Sequence, residues 1–257
     1  MISIVMTYYN RPSQLYFTLE SIRMQQVKDV EIIIVDDGSD DKDAALLVVG
    51  QFCDLHTKVI SIPKSDKWWI NPCIPYNKGF KEAAGDIIII QNAECLHFGN
   101  LIKYAKNTIS EGKYLSFSCY SATQQQCKKF ENLKKHSNMN LLECVKEAIT
   151  PLNRKQWYNH PSYRPAGYHF TSVIMKKDLE VIKGFNEEFA VGYCFEDNEF
   201  LFRLEKNGIP IQIVPIEHGF AVHQWHTKST TIIGRCPEWY RNKSLYEKIT
   251  GKEYIEI

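Results

Sequence analysis

Residues 85–101 read GDIIIIQNAECLHFGNL. The four isoleucines form a short unbroken apolar run, the pattern of a strand buried on both faces of a parallel sheet. The run ends abruptly at Gln91-Asn92-Ala93-Glu94, which brings polar groups to the end of that strand. Open α/β sheets bind their ligands beyond the carboxyl ends of strands. This strand end is therefore the first candidate site.

Working outward, residues 1–120 alternate short apolar runs with longer mixed segments. The runs are ISIVMT (2–7), VEIIIV (30–35), KVISI (58–62), IIIIQ (87–91) and KYLSFSCY (113–120). Helices are expected between them at 12–25, 41–52, 76–84 and 98–111. Strand–helix repetition of this kind predicts an α/β fold, one Rossmann-like α/β/α domain with a mostly parallel central sheet and right-handed crossovers. Residues 121–165 read as an ordered loop region carrying a polar, basic stretch and a short amphipathic helix at 140–149, since linkers are poor in Trp and Tyr. TSVIM (171–175) predicts a strand, KDLEVIKGF a helix and turn, EDNEFLFRLEKNG a helix ended by Gly208, and IPIQIVP a further strand. The expected division is a domain over 1–226, with a nucleotide-binding half (1–120) and an acceptor half (121–226), and a tail (227–257) folding back over the donor site.

The 257 residues are 44% hydrophobic and 24% charged with a net charge of +1, values of an ordinary globular protein. They indicate neither a nucleic-acid surface nor an acidic tail. No apolar run approaches bilayer-spanning length, and the start lacks a basic leader and cleavage site, so a soluble cytoplasmic protein is expected. The eight cysteines include no CxxC pair, which predicts reduced, mostly buried thiols. Lys128 to Lys135 read as a solvated face.

The turn after the first run, TYYNRP (7–12), contains no glycine, so a GxGxxG dinucleotide cradle is excluded. Thr7, Tyr8, Tyr9, Asn10 and Arg11 offer hydroxyls, an amide and aromatic faces, which suit a base or ribose. VDDGS (35–39) places two carboxylates at a strand end, as nucleotide ligands or as a plain Asp-Gly turn with a helix cap. Trp68, Trp69, Trp157, Tyr158, Tyr168 and His169 are candidates for sugar contact, since aromatic faces stack on pyranose rings, although most such residues simply pack.

Read in order, TYYNR, IIIVDDGSDD, PYNKGFKEAAGDIIII, the polar strand end and GFNEEF…EDNEFLFRL resemble glycosyltransferase family 2, inverting enzymes with the GT-A fold. The resemblance covers residues 1–206 or so. It implies that Thr7, Tyr9 and Asp37 line a nucleotide pocket and that Asn77, Lys78 and Gly79 lie near the nucleotide sugar. It places Asn92-Ala93-Glu94 where the family has its metal-holding DxD, with one formal negative charge fewer. Glu94 would supply an anionic oxygen to Mn²⁺ or Mg²⁺, and Asn92 a carbonyl or a ribose contact. His223, with His226 as its rival, would complete the metal site, and Lys228 with the Ser/Thr run beside it would meet the diphosphate. Asp197 would be the catalytic base at a helix start, with Glu196 bonding an acceptor hydroxyl; both would also complement the helix dipole. Tyr168 or His169 would touch sugar. The implied activity is metal-dependent hexosyl transfer from a UDP-sugar to a glycan or glycoconjugate acceptor. The rival reading is a non-catalytic glycan- or partner-binding module of the same fold. A sugar-nucleotide pyrophosphorylase is disfavoured by the first turn.

Overall fold

β1 (Ile2–Tyr8) and β4 (Ile87–Asn92) lie parallel at the centre of a seven-stranded sheet, in register from Ile2 beside Ile87 to Thr7 beside Asn92. The computed structural model describes residues 1–227 and 236–254. β2 (Val30–Asp36) and β3 (Thr57–Ser61) extend the sheet in parallel on one side. On the other side β9 (Thr171–Met175) runs antiparallel between β4 and β6 (Tyr114–Phe117), and β10 (Ile211–Val214) closes the edge parallel to β6.

The period of two along each strand builds two cores. Ile2, Ile4, Met6, Ile32, Ile34 and Ile89 face one side, under α1 (Pro12–Met24), α2 (Ala45–Val49) and α4 (Leu101–Thr108). Val5, Ile33, Val35, Ile88 and Ile90 face the other, under α3 (Cys73–Glu82), α7 (Lys176–Val181) and α8 (Glu196–Lys206). The expected three-layer α/β/α arrangement with a mostly parallel sheet is present. Each fully buried Ile in these runs stabilises the fold by roughly 1.5–3 kcal/mol relative to exposure.

A second sheet, β5–β11–β7–β8, departs from the sequence expectation. It consists of β5 (Cys95–Phe98), β7 (Cys119–Ser121), β8 (Trp157–Asn159) and β11 (Phe220–His223). The run at 113–120 is thus two strands in different sheets, and the helix expected from 98 starts at Leu101 after β5. The 41–52 helix shrinks to a 3-10 turn and the five residues of α2. The 121–165 region is more regular than a loop. α5 (Gln124–His136) and α6 (Leu141–Ile149) lay Cys127, Phe130, Leu141 and Val145 over the second sheet. All eight cysteines are free, five of them buried. The tail forms α9 (Pro237–Thr250); among its described contacts are Asn242 with the carbonyls of Phe189 and Cys194, the Trp239 and Tyr246 rings against Phe195, and Lys252 over the Phe202 ring of α8. The expected fold-back over the donor site is not among them; Lys228 and its Ser/Thr neighbours lie outside the described residues. No described helix is long and apolar enough to cross a membrane.

Candidate active site

Glu94 sits in the two-residue turn by which the chain leaves the main sheet and enters the second one. β11 pairs antiparallel with β5, His223 beside Cys95. Gln224 then locks the register, since its backbone N–H and side-chain amide both donate to the Glu94 carbonyl, and the amide also reaches Gln14 and Thr18. The result brings His223 Nε2 to 3.4 Å and His226 Nε2 to 3.5 Å from Glu94 Oε1. One donor atom from each of the three residues lies within 4.8 Å of the others. Arg11 Nη1 donates to the same carboxylate oxygen at 2.9 Å. Burial alone would push the Glu94 carboxyl up, but the two imidazoles and the guanidinium hold it well below the usual carboxylate range. A buried carboxylate facing two imidazoles is a donor set that fits a divalent ion. The sequence left His223 and His226 as rivals; the structure brings both to Glu94.

Beside this cluster, Thr7, the last residue of β1 but one, lies next to Asn92, and the Tyr76 hydroxyl lies 3.0 Å from Asn92 Oδ1 and 2.9 Å from the Gln91 carbonyl. Asp37 accepts from Lys67 Nζ at 2.6 Å and from Trp69 Nε1 at 2.9 Å. Burial raises its carboxyl above the ordinary value, although both donors pull the other way. The Lys67 ammonium also stands 4.7 Å over the exposed Tyr9 ring. Asn10, at φ +49°, exchanges two hydrogen bonds with Asp40 and so ties the first turn to the second.

Elsewhere at these strand ends, α8 opens with Glu196 and Asp197 directly after Phe195, itself left-handed at φ +71°. Glu196 is buried and accepts from Asn71 Nδ2 at 2.6 Å; burial and the neighbouring Asp197 charge push it up to about 7. The Asp197 carboxylate pairs with the imidazole of His169, and Asn198 donates to the Tyr168 hydroxyl at 2.9 Å. Three consecutive residues thereby join the parts. Tyr168 meets Asn198, His169 meets Asp197, and the Phe170 ring packs on His223 while its carbonyl accepts from the Asn92 N–H.

Other residues singled out in the sequence sit differently. Asn77 is buried and spends its amide on Phe185 and Glu187. A Cβ on Gly79 would overlap Val5 and sit 3.1 Å from Val35, so this glycine lets α3 lie close on the sheet. Lys78 is exposed, 5.9 Å over Trp69. Trp157 is core, packed edge-on to Tyr120 and Phe220 under the second sheet, which removes it from sugar contact. Sequence reasoning missed Lys67, Asn71 and Gln224. The first two share the segment of Trp68 and Trp69, whose aromatic pair was the available signal; Gln224 had none beyond lying between the two histidines.

Residues 3–179 match the model of glycosyl transferase family 2, and residues 156–227 match a model described as the N-terminal domain of galactosyltransferase. An uncharacterized glycosyltransferase of Rickettsia bellii (strain RML369-C) is 23% identical over 137 residues, 53% of this chain and 19% of that protein. Among solved structures, S. aureus TarS 1–349 in complex with UDP-GlcNAc aligns with a TM-score of 0.67 at 15% identity, over 99% of this chain and 68% of that one. The mannosyltransferase PcManGT from Pyrobaculum calidifontis, in complex with GDP-Man and Mn²⁺, aligns at 0.55 and 14% identity, over 89% and 57%. The chain spans about a fifth of the curated relative. The structural likenesses establish the GT-A fold. With its model matching from β1 into α7, well over half the sequence, the chain belongs to glycosyl transferase family 2.

Proposed function

We propose that this chain is an inverting, metal-dependent glycosyltransferase that moves a sugar from a UDP-sugar to a hydroxyl of a glycan or glycoconjugate. The observation that carries this reading is the convergence of the Glu94–His223–His226 cluster and the helix-opening Asp197 on the one segment Tyr168–Phe170. Two imidazole nitrogens beside a single carboxylate suit Mn²⁺ better than Mg²⁺, which asks for oxygen ligands. When bound there, the ion supplies charge neutralisation for the diphosphate leaving group.

The chain's own groups do the rest. Asp37 and Lys67 offer an acceptor and a donor to the imide edge of a base, and Tyr9 offers an exposed ring face. Thr7 and Asn92 lie between that pocket and the metal cluster, where the ribose would sit, and Arg11 places a cation beside the phosphates. Asp197 takes the proton of the acceptor hydroxyl as that oxygen bonds to the anomeric carbon. The bond from this carbon to the diphosphate oxygen breaks, its electron pair leaves with UDP, and the configuration inverts.

Calorimetry with UDP, GDP and CDP, with and without Mn²⁺, tests the donor half. UDP should bind best, should need Mn²⁺, and in Glu94→Ala should bind weakly whether or not Mn²⁺ is present. Equal affinity with and without the ion in the wild type removes the metal from the reading. Asp197→Asn should keep UDP-sugar binding and lose roughly two to four orders of magnitude in transfer rate. Wild-type binding without transfer across a broad acceptor panel would instead establish a binding module.

A further inference from the structure

We infer that His169 is a positioning residue for the base: its imidazole, through Nδ1, pairs with Asp197 Oδ1, which fixes the carboxylate and leaves Oδ2 to the acceptor. The inference rests on the assignment of Asp197 as base. His169 is 6% exposed, too enclosed to present a face to a sugar. Its ring is clamped edge-on by Tyr76 at 5.1 Å and by Phe185 at 4.9 Å, and Phe185 is stacked on Phe200 of α8 itself. The imidazole is thus braced by rings from α3, the turn after α7 and the helix that carries its partner. Asp197 Oδ1 is buried against it, while the side chain as a whole keeps 27% exposure. Oδ2 is then the oxygen left accessible.

The charge pattern agrees with this geometry. Burial lowers the proton affinity of His169, yet Asp197 and Glu196 outweigh it and raise the imidazole above its ordinary value. The other titratable groups around the pair are Tyr76 from α3, Tyr114 from β6, Tyr168, and Cys194 from the loop before α8; burial raises all four. They stay neutral through the working range. Among the described residues around the pair, Glu196, at about 7, is the one that titrates within it.

Two measurements test the inference, the first without any substrate. With ¹⁵N-labelled histidine, the His169 titration followed by NMR should move to lower pH by a unit or more in Asp197→Asn, because Glu196 alone then opposes burial. An unmoved titration overturns the pairing. In the second, transfer is measured from a UDP-sugar for the wild type, His169→Phe and His169→Asn. The Phe ring keeps the volume and removes the donor; Asn restores a donor near the Nδ1 position. His169→Phe should lose ~10- to 100-fold in kcat, the usual cost of removing a group that orients a functional ligand, with KM for the UDP-sugar unchanged. His169→Asn should recover most of the rate. A loss confined to KM, or equal rates for the Phe and Asn variants, overturns the positioning role. A wild type that never transfers removes the assignment of Asp197 as base but leaves the NMR result standing.

Discussion

Arg11 and Glu94 show how two neighbouring charges are set for different partners. The guanidinium donates to Oε1, the oxygen that both imidazoles also approach. Without a divalent ion, Arg11 neutralises a carboxylate whose burial would otherwise be costly. With one, a cation at Glu94 and the Arg11 guanidinium repel, and a diphosphate is the natural place for the displaced arginine, whose side chain is one-third exposed. Arg11→Ala should therefore have opposite effects on the two ligands. Mn²⁺ alone should bind several-fold more tightly, as a competing charge-assisted bond worth about 1.5–3 kcal/mol is removed against some loss of pre-organisation. UDP in the presence of Mn²⁺ should bind more weakly. Calorimetric titrations of both ligands check this, and parallel weakening of both would show that Arg11 only shapes the pocket.

Among the elements, α3 is the one whose sequence serves the fold and the site together. Tyr76 reaches the end of β4, Asn77 fastens the turn at Phe185–Glu187, and Gly79 allows the close approach to Val5 and Val35. Gly79→Ala should destabilise the protein by about 1–3 kcal/mol, the usual cost of overpacking, as read by urea denaturation. A fall in UDP affinity without any loss of stability would place Gly79 at the ligand instead. The long apolar strands and the helices on either side of them were legible because their periods are strong. The second sheet was not, for its strands have three or four residues and gain their stability from partners far along the chain. Helix α5 was hidden by its polarity, since only Cys127 and Phe130 are buried; yet its capping box, Thr123 with Gln126, was readable as a start signal. At the candidate site, Glu94 and Asp197 were singled out by motif order, and the two histidines by their cluster after the last strand. The His169–Asp197 and Asn71–Glu196 pairs were not, because contact between segments distant in sequence leaves no local pattern.

At the scale of the whole molecule, the candidate site lies on the seam between two sheets, so its geometry depends on how firmly that seam is held. Glu94 leaves the main sheet, His223 ends a strand of the second, and Asp197 belongs to the helical layer beneath. His97 in β5 is a joint of this seam. Its Nε2–H donates to Gln91 of β4 at 2.6 Å, and its Nδ1 accepts from Gln25, just past α1, at 2.8 Å. Both bonds together require the neutral imidazole, and full burial pushes its pKa down to about 3. The folded value lies below the ordinary 6.5, so the unfolded chain binds the proton first. The stability held by neutral His97 is complete above 6.5 and drains away as pH falls toward 3, at up to about 1.4 kcal/mol per pH unit. Glu196 acts in the opposite sense, since its raised carboxyl favours the fold as pH drops from about 7 to the ordinary carboxylate range. The comparison that isolates His97 is therefore between the wild type and His97→Gln, each unfolded by urea at several pH values from 7.5 to 5. The variant should be less stable at pH 7.5, having lost one of two buried bonds, and the gap should narrow steadily below 6.5. A gap that stays constant across that window would mean that His97 takes up its proton equally in the folded and the unfolded chain, and a gap that widens as pH falls would mean that the fold favours the protonated ring and that the seam is held by charge.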